Sequence, residues 1–234
     1  MNKWKESELV RSLVGFFLLF LLFIGLFIFV VPSTHQSSKI AEKIKSIKNE
    51  KVTYVAIGDS LTQGVGDSSN QGGFVPVLSQ ALESDFDWQV TSRNYGIAGN
   101  TSNQILKRVQ EKKDIQRDLK KAKVMTLTVG GNDVIHVIKD NIPNLNVDTF
   151  TKPAQAYQKR LGQIIELARK DNKTLPIYIV GIYNPFYLNF PEMTEMQTIV
   201  DNWNQSTEEV CKKYDNVYFV PVNDLLYKGI DGKG

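Results

Sequence analysis

From residue 52 onward the sequence alternates between two hydrophobic periods, and this constrains the fold more than any other feature. Short apolar runs read as strands at residues 52–57 (VTYVAI), 88–96 (WQVTSRNYG), 123–130 (KVMTLTVG), 175–183 (LPIYIVGIY) and 217–222 (VYFVPV). Between them, residues 72–84, 101–112, 154–170 and 193–214 carry apolar side chains three and four positions apart. That is the period of a helix with one buried face. Thr101 or Ser102 can cap the second of these helices. Parallel strands cannot be joined by a tight turn, and a helix is the usual crossover. The alternation therefore predicts an α/β fold, a doubly wound five-stranded parallel sheet with helices on its faces. Residues 140–153 read as a loop, either a passive connection or a cover for a site.

The first 51 residues differ in kind. Residues 13–31, LVGFFLLFLLFIGLFIFVV, are nineteen positions without a charge, enough to cross a bilayer core as a helix. The run ends in FVVPSTHQ, with no Ala-x-Ala cleavage pattern. The single cysteine, Cys211, is far away, so none is placed to carry a lipid. The expected organisation is a cytoplasmic tail at 1–12, an uncleaved transmembrane signal anchor at 13–31, a basic stalk at 32–51 and a domain at 52–234. Lys3, Lys5 and Arg11 favour a cytoplasmic N-terminus, while Lys39, Lys43, Lys45 and Lys48 on the other side weaken that signal. A long C-terminal domain is exported largely regardless of flanking charge. The expected location is the cell membrane, single-pass, with the domain extracytoplasmic. Ile40, Ile44 and Ile47 recur at helical spacing among lysines, as in a stalk helix or a helix lying on lipid.

The formal charge of +3 is unevenly placed: residues 1–51 carry +4 and residues 52–234 carry −1. The basic excess lies beside the apolar run, where anionic lipid attracts it. The near-neutral domain gives no sign of a nucleic-acid partner. One cysteine excludes an internal disulfide.

In an open parallel sheet, ligands bind beyond the carboxyl ends of the strands. After the first strand come Gly58, Asp59, Ser60 and Leu61; after the second, NYGIAGNTS at 94–102; after the third, GGNDV at 130–134; after the fourth, NPFYLNF at 184–190. Ser60 can be a nucleophile presented at the sheet edge or an ordinary helix cap. Gly99 can let a carbonyl oxygen approach main-chain N–H groups, and Asn132 can add an amide donor. Either can equally be a plain turn residue. Asp59 reads as a structural hydrogen-bonding residue. Tyr183, Phe186, Tyr187 and Phe190 can line an acyl pocket or pack the loop against the sheet. No Cys or His cluster has metal-ligand spacing.

GDSL at 58–61, GIAGNTS at 96–102 and GGND at 130–133, in this order and at successive strand ends, resemble the GDSL, or SGNH, hydrolase family over about residues 52–224. The resemblance implies the flavodoxin-like SGNH hydrolase fold, with Ser60 as nucleophile and Gly99 and Asn132 as oxyanion donors. It also implies hydrolysis of small-molecule, lipid or glycan esters or thioesters, without metal or cofactor. The family's fourth block, an Asp-x-x-His followed by a last helix, has no match in NDLLYKGIDGKG. Asp231 is followed three residues later by Gly234 rather than histidine. His35 follows the apolar run, and His136 lies beyond Asn132, as a surface or packing residue or as a substitute base. The chain is therefore read as lacking its catalytic base and final helix. Val55 and Ile57 of the first strand are expected to be partly open to water as a result. The expected function is a membrane-anchored, extracytoplasmic serine ester hydrolase with impaired activity. The alternative is a non-catalytic acyl- or glycan-binding domain at the cell surface.

Overall fold

The computed structural model describes residues 50–69, 71–141, 146–185, 194–223 and 225. Residues 1–12, the apolar run 13–31, most of the stalk, His35 and residues 226–234 lie outside the described residues. Among the described residues no helix is long and apolar enough to cross a membrane.

The chain begins with strand β1 (Glu50–Gly58), a one-turn helix α1 (Ser60–Gln63), helix α2 (Phe74–Phe86) and strand β2 (Trp88–Gly96). Helices α3 (Ser102–Glu111) and α4 (Lys113–Lys121) lead to β3 (Ala122–Thr128) and α5 (Gly131–Asn141). A 3-10 turn (Val147–Phe150) and α6 (Thr151–Ala168) precede β4 (Ile177–Val180), α7 (Thr194–Cys211) and β5 (Val217–Val220). The five strands form one sheet in the order β2-β1-β3-β4-β5, and every neighbouring pair is parallel. The α/β class, the strand positions and the four long helices stand as expected. Three helices exceed the reading: α1, α4 and α5. In α4, Ile115 and Leu119 are buried one turn apart, a pattern too brief to stand out between lysines. The expected loop at 140–153 is shortened from both sides, because α5 runs to Asn141 and α6 begins at Thr151.

The faces of the sheet differ. Val55 and Ile57 of β1, Met125 and Leu127 of β3, and Ile177 and Ile179 of β4 point into the main core. Helices α3 to α7 cover them with side chains including Ile105, Ile115, Val134, Leu161 and Trp203. The expectation that Val55 and Ile57 are partly open is overturned: both are fully buried. They lie on the face that five helices cover. On the opposite face Tyr54, Ala56 and Val124 pack with Val75 of α2 and its neighbours Phe74, Leu78 and Leu82. Beyond α2 this face carries an apolar groove of about 940 Å³, lined by residues such as Val77, Ala81, Val124, Tyr178, Val180 and Val220. Tyr178 and Tyr218 stack across β4 and β5 with ring centroids 5.0 Å apart, and both are exposed.

Two close approaches set α1 against the sheet edge. A Cβ on Gly96 would lie 2.2 Å from the backbone nitrogen of Gln63. Glycine lets the end of β2 run directly beneath α1. Asn94 Nδ2 then donates to the Thr62 carbonyl at 2.7 Å. Gly96→Ala forces backbone against backbone. We expect a loss of roughly 2–3 kcal/mol, the usual scale of overpacking, read as a fall in the chemical-denaturation midpoint at unchanged slope. A variant as stable as the parent would show that α1 moves freely from the sheet.

Candidate active site

Ser60 is the first residue of α1, and the cap is its neighbour. Asp59 is the N-cap, and its Oδ1 accepts from the Leu61 N–H at 3.1 Å. The choice between nucleophile and cap is thereby narrowed, because the capping role belongs to Asp59. Among the described residues the Ser60 hydroxyl makes no side-chain hydrogen bond and remains available to a ligand. Asp59 is itself tied to β3: its N–H donates to Thr128 Oγ1 at 3.2 Å, and that hydroxyl donates to Asp59 Oδ1 at 2.8 Å. Thr62, completely buried, brings its hydroxyl within 2.8 Å of the same Thr128 oxygen. The expected structural role for Asp59 takes this form.

The loop after β2 is stitched to α1 and β1. The Ile97 N–H donates to the Gly58 carbonyl at 3.0 Å, and the Ala98 N–H donates to Gln63 Oε1 at 2.6 Å. Gly99 follows at φ +78 with nothing near its would-be Cβ. The glycine therefore serves conformation rather than space, since a side chain at this φ is strained. Asn132 is the second residue of α5, and its Nδ2 donates to the Asn100 carbonyl at 3.0 Å, next to Gly99. One amide hydrogen of Asn132 is left for another acceptor.

Ser60 and Asn132 line one pocket of about 150 Å³. Its walls are mostly apolar and include Val134 and Ile138 of α5, Ile182 and Tyr183 after β4, and Met196 and Val200 of α7. Of the aromatic residues expected to line a pocket, Tyr183 does so. Phe186, Tyr187 and Phe190 lie outside the described residues. Gly99 is exposed and is not among the lining residues; its neighbour Asn100 accepts from Asn132. His136 is exposed one helical turn beyond Asn132 and does not line the pocket.

Sequence reasoning missed two arginines. Arg108 of α3 donates from Nη2 to the Gly58 carbonyl at 3.0 Å and from Nη1 to the Tyr95 carbonyl at 2.7 Å. It joins the ends of β1 and β2 immediately behind Asp59 and Ser60. Burial lowers its pKa. Arg160 of α6 reaches Ser102 and Asp133. Neither residue sits in a sequence block near the loops it reaches, and only the packing of α3 and α6 brings it there.

Burial raises the pKa of Asp59 above its ordinary 3.8; the bonds from Thr128 and Leu61 pull the other way, and the nearby Asp133 charge adds to the rise. An acid whose pKa is higher folded than unfolded contributes stability that is complete below the unfolded value. That contribution is lost as pH rises through the folded value. The parent should therefore lose stability on going from about pH 4 to neutrality relative to Asp59→Asn, which keeps the acceptor for Leu61. Denaturation midpoints of both proteins across this range test it. Parallel pH profiles would show that Asp59 titrates normally.

The chain matches the GDSL-like lipase/acylhydrolase family over residues 56–233. It is 32% identical to the uncharacterized protein YpmR of Bacillus subtilis over 201 residues, covering 85% of this chain and 78% of that protein. It is 30% identical to the spore germination lipase LipC of Bacillus licheniformis over 183 residues, covering 75% and 82%. Among solved structures, the lipase Lip_vut3 from a goat rumen metagenome superposes with a TM-score of 0.67 at 23% identity, covering 76% and 84%. AlinE4, an SGNH-hydrolase family esterase, gives 0.53 at 22% identity, covering 78% and 82%. With Ser60, Asn132 and the α/β sheet in place, the chain belongs to the GDSL-like lipase/acylhydrolase family of ester hydrolases.

Proposed function

We propose that Ser60 is the nucleophile of an acyl-ester hydrolase that takes short acyl groups and is held at the membrane by residues 13–31. The observation that carries the reading is the uncapped Ser60 hydroxyl at the edge of an apolar pocket that also holds Asn132. Ser60 Oγ bonds to the acyl carbon while its proton passes to a base. The carbonyl oxygen becomes an oxyanion, which the Asn132 amide and the N–H groups of Ser60 and Gly99 hold. The C–O bond to the alcohol then breaks as the proton is delivered to the leaving oxygen. Water releases the acid from Ser60 by the same steps. A pocket of about 150 Å³ matches an apolar cavity that accepts benzene, so it takes an acyl group of roughly six heavy atoms.

Among the described residues no histidine lines the pocket. Of the two histidines, His35 and His136, the second is exposed on α5 and is not one of the lining residues. An unactivated serine is a weak nucleophile, and the oxyanion donors alone leave a slow residual reaction. We expect the 234-residue chain to hydrolyse aryl esters slowly, and added imidazole, a diffusible base, to raise the part of the rate that Ser60→Ala removes. That part should peak near a six-carbon acyl chain and fall about 100-fold in Asn132→Ala, as for loss of one oxyanion donor. A rate indifferent to Ser60→Ala sinks the hydrolase reading. Saturable acyl binding with no Ser60-dependent turnover would favour the binding-domain alternative. Fast turnover without imidazole would point to another base, with His136→Ala the next variant.

The membrane part of the proposal is supported by the nineteen uncharged residues at 13–31 and the absence of a cleavage pattern. Protease added to intact cells should release the domain and leave a small anchored stub. Protection until lysis would place the domain in the cytoplasm.

A further inference from the structure

We propose that Arg160 is a positioning residue for the oxyanion donors, holding the Gly99 turn and Asn132 in one fixed relation through Ser102 and Asp133. The inference rests on the reading of Gly99 and Asn132 as donors to a developing oxyanion. Those two residues come from separate loops, one before α3 and one at the start of α5. A donor must lie within about 2.7–3.1 Å of the oxyanion to act, so the loops must not drift apart.

Asp133 follows Asn132 directly, and Ser102 lies three residues after Gly99. The two oxygens of Asp133 divide between two groups of Ser102: Oδ2 accepts from the backbone N–H at 2.8 Å, and Oδ1 accepts from the hydroxyl at 2.5 Å. The carboxylate thus caps the first turn of a helix that is not its own. It is 7% exposed. A carboxylate so buried is costly without a cation.

Arg160 supplies the cation from α6. Its Nη2 donates to Asp133 Oδ1 at 3.2 Å, and its Nε donates to Ser102 Oγ at 2.7 Å. The second bond fills the acceptor side of the hydroxyl and turns its hydrogen toward Asp133. One planar edge of the guanidinium therefore fixes both the carboxylate and the hydroxyl, which a lysine ammonium cannot do with the same geometry. The triangle is closed, and every bond in it crosses between α3, α5 and α6. Arg160 does not line the pocket and touches no substrate there.

Hydrogen exchange read by mass spectrometry on the full chain in detergent tests the proposal. In Arg160→Met, peptides covering 97–105 and 130–136 should exchange about tenfold faster, the scale of losing one charge-assisted hydrogen bond. Peptides from β1 should be unchanged. Arg160→Lys should recover only part of the protection. In an Asp133→Asn background, where no carboxylate needs a cation, adding Arg160→Met should change exchange little. The Ser60-dependent rate with imidazole should fall in kcat, with KM held. Uniform acceleration across the sheet, or none, overturns the proposal, as does a Ser60-dependent kcat that Arg160→Met leaves intact. If local exchange rises while turnover ignores Ser60→Ala, the clamp stands and the hydrolase reading fails.

Discussion

The place of Ser60 depends on a carboxylate taken out of water. Asp59 is 5% exposed, and it follows the last residue of β1, caps α1 and grips Thr128 of β3 at once. A serine hydroxyl has a short side chain, so its position is set almost wholly by its backbone. The backbone of α1 in turn has one turn of helix and little intrinsic stability. Asp59 compensates by fixing the start of that turn to Thr128 of β3, the central strand. The rise in its pKa marks a group whose burial is not fully offset by its hydrogen bonds. Such uncompensated groups are common where a protein holds reactive side chains in place.

Around this point the loops are tied to one another rather than only to their own strands. Gln63 of α1 holds Ala98, Asn94 holds Thr62, and Arg108 bridges the carbonyls of Gly58 and Tyr95. Each bond is worth about 1 kcal/mol net. Together they leave the loop after β2 few ways to move without breaking several at once. The Asp133, Ser102 and Arg160 triangle ties the third loop in the same manner. The apolar wall of the pocket has a different origin, because α5 and α7 pack against the main core and turn Val134, Met196 and Val200 toward Ser60.

The two faces of the sheet are unequal in a way that follows from strand order. The crossover from β1 to β2 runs one way across the sheet, and those from β2 to β5 run the other. Right-handed crossovers then put α2 on one face and α3 to α7 on the other. Residues at odd positions of β1, such as Val55 and Ile57, fall on the crowded face. Tyr54 and Val124 fall on the sparser one, beside the groove that Tyr178 and Val220 line.

The sequence by itself determined the α/β class, the five parallel strands and the loops that meet at one edge. Those properties follow from hydrophobic period and chain connectivity, which are local and additive. GDSL, GIAGNTS and GGND were legible for the same reason, as short motifs at strand ends. The helices α1 and α4 were not, because one or two turns carry too few apolar residues to set a period. Only the tertiary structure decided which sheet face Val55 occupies, that Asp59 rather than Ser60 is the cap, that Arg108 reaches the Gly58 carbonyl and that Arg160 reaches Ser102 and Asp133. A long side chain is free to choose among many partners until helix packing fixes its Cα. Residues 58 and 108, or 102 and 160, are therefore related by geometry alone.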